Sequence, residues 1–237
     1  METGKDFEKG EINEVSKKTH DRIKIKSSDR IIIRKKKRKV SDEEKVMSRQ
    51  EILSLIEKIP KDIARFENKG LMYRTLIALL YLTGARISEL LTVKKNQFEY
   101  AFDRGVKYLI INNVPTLKSR SKSESKYRPF FLRKDFEEPF INHVRAWLNE
   151  LISDDELVFK INPSRSHQIV KEYTGKFPHY FRHVRSIDLV RYYGFNSYWL
   201  QRWHGWARIN SAEAYVKLLG EDLKDHVLSI NPSRKIS

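Results

Sequence analysis

Residues 177–219 of the 237-residue chain read FPHYFRHVRSIDLVRYYGFNSYWLQRWHGWARINSAEAYVKLL. Pro178 suits the first turn of a helix, where a missing amide donor costs nothing, so Pro178-His179-Tyr180-Phe181-Arg182-His183 opens one. His179 and Arg182 stand three apart and therefore share a face of that helix. Gly194 marks a turn. Gly205-Trp206 follows, and nine positions beyond Trp206 comes Tyr215, within an amphipathic helical pattern. An imidazole, a guanidinium, an indole N–H and a phenol, delivered in that order, can converge on one oxyanion. Each also has an ordinary reading: Tyr215 as a half-buried helix tyrosine and Trp206 as a core indole.

Working back from this stretch, the folded part starts at Ser48. Ser48-Arg49-Gln50-Glu51 has capping-box spacing ahead of an apolar-periodic helix that runs to Ile59 and stops at Pro60. Met72–Leu82 is apolar nearly all round, which predicts a helix at the centre of the core. Gly84 ends it within Thr83-Gly84-Ala85-Arg86-Ile87-Ser88-Glu89-Leu90-Leu91, and Arg86 and Glu89 share a face of the next helix. Between Phe98 and Leu132 the pattern turns to strands, Val106–Ile111 and Tyr127–Leu132 being the clearest. The basic, serine-rich stretch PTLKSRSKSESK between those two forms a long hairpin tip. Phe136–Leu151 is an amphipathic helix carrying Trp147, and Asn162-Pro163 is a turn ahead of a further short helix. The pentapeptide INPSR recurs at 230–234, too short a match for a structural repeat.

These two boxes in this order resemble those of the tyrosine recombinases, the family of phage integrases and Xer-like enzymes. The resemblance covers roughly Ser48–Leu219, and its specificity is concentrated in TGARISELL and in the stretch from His179 to Tyr215. It implies an α+β fold, mainly α-helical, with a small three-stranded antiparallel sheet. It also implies a catalytic set: Arg86 and Arg182 on the phosphate, Glu89 supporting Arg86, His179 assisting, Trp206 in the family's His-or-Trp position, and Tyr215 as nucleophile. A catalytic lysine belongs on the hairpin tip. Lys118 is the first choice, with Lys122 and Lys126 as alternatives, and a phosphate contact is as natural a role for any one of them. The reaction so implied is cutting and rejoining of DNA through a 3′-phosphotyrosyl link, with neither metal nor ATP. The alternatives are a type IB topoisomerase-like enzyme and a non-catalytic DNA-binding derivative of the fold. Full-length relatives usually carry a helical core-binding domain upstream, whereas here a basic arm precedes Ser48. The resemblance further implies a dimer or tetramer on the DNA.

Composition agrees with a nucleic-acid partner. The net charge is +16 and the pI about 9.8. That leaves nucleic acid or an anionic membrane, and no apolar run approaches the length of a spanning helix. The absence of cysteine excludes disulfides, zinc ribbons and thiol chemistry and suits an intracellular protein. His179 and His183, four apart, form a possible metal pair, but no carboxylate or cysteine completes it, so no metal or other cofactor is expected. Residues 1–45 read as a basic, solvated arm. Between Asp21 and Val40 ten Lys or Arg face two Asp, and Lys35, Lys36, Lys37, Arg38 and Lys39 are the densest run. These residues, with Arg120, Lys122 and Lys126 of the hairpin tip, are the candidate contacts to double-stranded DNA. Ile31–Ile33 reads as a short strand or docking point, residues 46–220 as the catalytic domain, and 221–237 as a tail with a short helix near Asp222–Leu228.

Overall fold

The capping box at Ser48 forms as its spacing predicts. Its hydroxyl accepts from the Glu51 amide at 3.2 Å, and the Glu51 carboxylate accepts from the Ser48 amide at 2.7 Å. Helix α1 (Arg49–Glu57) follows. The computed structural model describes residues 46–64, 67–116 and 127–218. Outside these residues lie the arm with Lys35–Lys39, the Ile31–Ile33 strand, Lys118, Arg120, Lys122 and Lys126, and the helix expected near Asp222–Leu228.

Helix α2 (Lys69–Thr83) is the centre of the domain. Thirteen of its 15 residues are buried, so it has no solvent face. That accounts for its nearly uniform apolar sequence. It packs against α1, against α4 (Lys134–Leu148), against α5 (Pro163–Thr174) and against α6 (Pro178–Tyr193). The short α3 (Ile87–Leu90) comes directly after the Gly84 turn. A single 3-10 turn, Lys95–Gln97, leads into the sheet.

The sheet has the order β1 (Phe98–Asp103), β2 (Val106–Pro115), β3 (Tyr127–Arg133), both pairings antiparallel. In β3 every second residue is buried, namely Arg128, Phe130 and Leu132, as expected for a strand with one face on a core. An arginine in that inward series is out of pattern, and its partner is described below. Asn162 caps α5 through its side chain to the Arg165 amide at 2.8 Å, with Pro163 at the first helical position. The turn read from Asn-Pro is thus a helix start. The chain ends with α7 (Ser197–His204) and α8 (Asn210–Leu218).

Beneath the site the helices are tied by a buried ionic network. Glu137 of α4, fully buried, accepts from Arg185 of α6 at 2.6 Å, Arg49 of α1 at 2.8 Å and the Tyr193 hydroxyl at 2.7 Å. Nε and Nη2 of Arg185 make no hydrogen bond. Its guanidinium instead lies 5.2–5.7 Å from the ring centres of Tyr193, Trp203 and Tyr81, whose π-faces stand in for acceptors.

Candidate active site

The site is built where the end of α2 meets α6 and the α7–α8 turn. Gly84 terminates α2 at φ +59, in the left-handed region. A Cβ there would also come within 2.6 Å of the His204 ring, so the position is closed to any side chain. The Gly84 carbonyl, freed by the turn, accepts from Nη1 of Arg182 at 2.8 Å. Nη2 of the same guanidinium donates to the His204 carbonyl at 2.7 Å. Arg182 therefore binds the two sequence boxes to each other through main-chain oxygens.

The second arginine begins α3. Arg86 is its N-cap and Glu89 its third residue. The Glu89 carboxylate accepts from the Arg86 amide at 2.9 Å and from its Nη1 at 2.7 Å. The sequence alone allows an exposed helix pair here. Instead Glu89 is fully buried and is shared with Arg128 of β3, whose Nη2 donates to it at 2.8 Å. Burial alone would raise the Glu89 pKa, but the Arg128 charge and the hydrogen bonds from Arg86 and Arg128 outweigh it and hold the carboxyl below its ordinary value. Nη1 of Arg128 donates to the Thr116 hydroxyl at 2.6 Å, closing the neck of the hairpin.

Three guanidiniums, those of Arg86, Arg128 and Arg182, thus surround one carboxylate, an excess of two positive charges. Arg182 has only carbonyl acceptors. Burial, and after it the nearby Arg86 charge, pull its pKa down to about 9. It stays charged at neutral pH, in a place where a bound anion relieves the repulsion.

Trp206 and Tyr215 complete the site. Gly205 caps α7 at φ +61, and a Cβ there would lie 2.9 Å from both Nη1 of Arg128 and the Thr116 methyl. Glycine at this position is what lets Trp206 approach the arginines. The Arg182 guanidinium sits 5.4 Å from the Trp206 ring centre. Trp206 stacks on Tyr215, with centroids 5.7 Å apart and an interplanar angle of 10°. The Tyr215 hydroxyl meets Nδ1 of His183 at 3.2 Å. Burial raises the Tyr215 pKa, with the Ser186 hydroxyl and the Arg182 charge pulling the other way. His204, fully buried, is bonded to the Ser186 hydroxyl at 2.8 Å and packs against Trp206. Burial, then the charges of Arg182, Arg128 and Arg185, hold it well below the ordinary histidine range, so its ring is neutral.

Of the residues nominated from sequence, Arg86, Glu89, Arg182, Trp206 and Tyr215 are brought together. His179 is exposed, in the first turn of α6. Of the two histidines, it is His183 that reaches the Tyr215 hydroxyl. Lys118, Lys122 and Lys126 lie outside the described residues. Sequence reading missed Arg128 and Thr116. The signal for Arg128 was present, since an arginine in the inward series of a strand calls for a buried acid.

The fold can be set beside known proteins. No family model matches the chain. It is 25% identical over 201 residues to tyrosine recombinase XerA of Pyrococcus furiosus, a match covering 79% of this chain and 62% of the relative. The crystal structure of XerA recombinase superposes with a TM-score of 0.50 at 18% identity, covering 81% of this chain and 64% of that one. XerH recombinase in its post-cleavage complex with a palindromic difH substrate gives a TM-score of 0.50 at 20% identity, covering 75% and 50%.

This is the fold of a tyrosine-recombinase catalytic domain. The chain spans about three-fifths of the length of the curated relative it matches. The α+β class, mainly helical with one three-stranded antiparallel sheet, is the class read from the sequence. Within the tyrosine-recombinase fold, Arg86 and Glu89 sit at the start of α3, Arg182 in α6, Trp206 in the α7–α8 turn and Tyr215 in α8.

Proposed function

We propose that the chain is a site-specific recombinase or integrase that cuts and rejoins duplex DNA through a 3′-phosphotyrosyl intermediate. The observation that carries this reading is the charge surplus of the Arg86–Arg128–Arg182 cluster beside the stacked Trp206–Tyr215 pair. A phosphodiester supplies the missing negative charge, and a planar guanidinium can grip two of its oxygens at once. Attack by the Tyr215 oxygen places further charge on the non-bridging oxygens. Arg86, Arg182 and the indole N–H of Trp206 are donors suited to stabilise it. Arg128 and Glu89 hold Arg86 in place as positioning residues. His179, exposed in the first turn of α6, assists by contacting the phosphate. The phosphorus–oxygen bond to the 5′ side breaks, and a hairpin lysine, Lys118 or else Lys122 or Lys126, protonates the leaving oxygen. The bond energy is retained in the phosphotyrosyl link, so neither ATP nor a metal ion takes part.

The partner is double-stranded DNA, gripped also by Lys35, Lys36, Lys37, Arg38, Lys39 and Arg120, and the working form is a dimer or tetramer on that DNA inside the cell. The relatives' names fit this reading: XerA is named a tyrosine recombinase, and XerH was solved on its difH substrate.

The test is covalent capture. A pool of nicked duplexes with randomised sequence is incubated with the full chain in EDTA, and DNA bound to protein under denaturing conditions is sequenced. The proposal expects a 3′-linked adduct on a recurrent sequence, undiminished by chelation. Absence of adduct from the pool would refute the activity. An adduct lost in EDTA and restored by Mg²⁺ would refute the metal-free chemistry.

A further inference from the structure

We propose that His183, and not His179, is the group that takes the proton from Tyr215 when the phenol attacks, and returns it when the strands are rejoined. The inference rests on the phosphotyrosyl reading above and deepens it. The Nδ1 atom of His183 stands 3.2 Å from the Tyr215 oxygen, and the two rings lie with centroids 5.3 Å apart. With its own proton on Nε2, the imidazole accepts from the phenol at Nδ1. His179 lies one helical turn earlier, about 6 Å back along α6 at 1.5 Å per residue, and is exposed.

The surroundings make such a group necessary. The phenol is part-buried against Trp206, and burial makes it harder to ionise. A free phenolate is then scarce at neutral pH, and a neutral base in contact with the hydroxyl removes that obstacle. In cleavage, the Tyr215 oxygen–phosphorus bond forms and the phosphorus–5′ oxygen bond breaks. The phenolic proton passes to Nδ1 of His183, and the leaving oxygen takes one from the hairpin lysine. In rejoining, the 5′ hydroxyl gives its proton to that lysine and attacks phosphorus. The phenolic oxygen departs and recovers its proton from His183.

Several titratable groups are packed about this pair. Arg182 on α6 has a pKa of about 9, and Glu89 on α3 is held below the ordinary carboxylate range. His204 on α7 is held well below the histidine range. Arg86 at the N-cap of α3 and Arg128 on β3 both donate to Glu89, and their charges act on Arg182. The contact with the Tyr215 hydroxyl is made by His183, and its role is told apart from that of His179 by experiment.

The experiment measures adduct formation against pH on a duplex recovered by the capture described above. Wild type should lose rate as pH falls and the base is protonated. His183→Gln keeps a polar contact to the phenol but cannot carry the proton. It should form adduct on the order of 100-fold more slowly, lose the acid-side dependence, and bind the same duplex as wild type does. His179→Gln should keep that acid-side dependence whatever its rate. If His183→Gln proves unstable, fluorotyrosine at position 215 in His183→Asn gives the same information. The more acidic phenol should restore part of the rate. The inference is overturned if His183→Gln cleaves within about threefold of wild type with its pH dependence intact, or if His179→Gln is the variant that abolishes that dependence. Failure of wild type to form any adduct is a different result, and it strikes the function, not the assignment.

Discussion

Glu89 shows how one side chain can hold a cluster that would otherwise fly apart. It is fully buried, and its two oxygens take hydrogen bonds from the Arg86 amide and both neighbouring guanidiniums. Removing one partner of a buried ionic set leaves charge unpaired, a change that costs about 3–5 kcal/mol. Glu89→Ala should therefore lower stability by about that amount in urea unfolding. Because the folded pKa of Glu89 lies below its ordinary value of 4.5, it contributes stability that is present above 4.5 and is lost as pH falls through the folded pKa. Wild type should lose stability on acidification in that window, and Glu89→Gln should lose less over the same range. Equal acid sensitivity in the two proteins would show that Glu89 is not the group responsible.

At the scale of helices and strands, α6 carries most of the organisation. Arg182 faces the site, and Arg185, three residues on, faces the Glu137 network that binds α1 and α4. Arg185→Met alone should destabilise by roughly 3 kcal/mol, because Glu137 loses its fully buried partner. Combining it with Glu137→Leu should cost less than the sum of the two single changes, which a double-mutant cycle in urea would measure. Strict additivity would contradict a direct tie between the two helices. Much of this level was legible in the sequence, because its signals are local. Ser48-x-x-Glu51, Gly84, Pro178 and the all-apolar α2 each fix an element from a few neighbouring residues. What escaped was set by distant contacts. Arg128 meets Glu89 across 39 positions, and nothing near either residue names the other. His179 and His183 project from similar directions on one helix, so only the placement of α8 decides which of them meets Tyr215. Gly205 read as one half of a motif, but its need for glycine comes from Arg128 and Thr116 on the opposite wall.

At the scale of the whole molecule, the net charge of +16 sets the terms of association. If the run from Lys35 to Lys39 binds phosphates, DNA affinity should fall steeply with salt. Deleting residues 1–45 should then flatten the logarithmic slope by roughly 0.9 for each phosphate the arm had neutralised. An unchanged slope would assign the grip to the folded domain alone. The central claim, that this domain makes and breaks DNA through Tyr215, is tested most directly by mapping the protein–DNA adduct. Other nearby tyrosines are engaged differently: Tyr193 donates to Glu137, and Tyr192 and Tyr198 are about half exposed. Proteolysis of the trapped adduct should place the nucleotide on the peptide containing Tyr215, and Tyr215→Phe should bind the same duplex without forming any adduct. A nucleotide on Tyr192, Tyr193 or Tyr198, or an adduct that persists in Tyr215→Phe, would contradict the account.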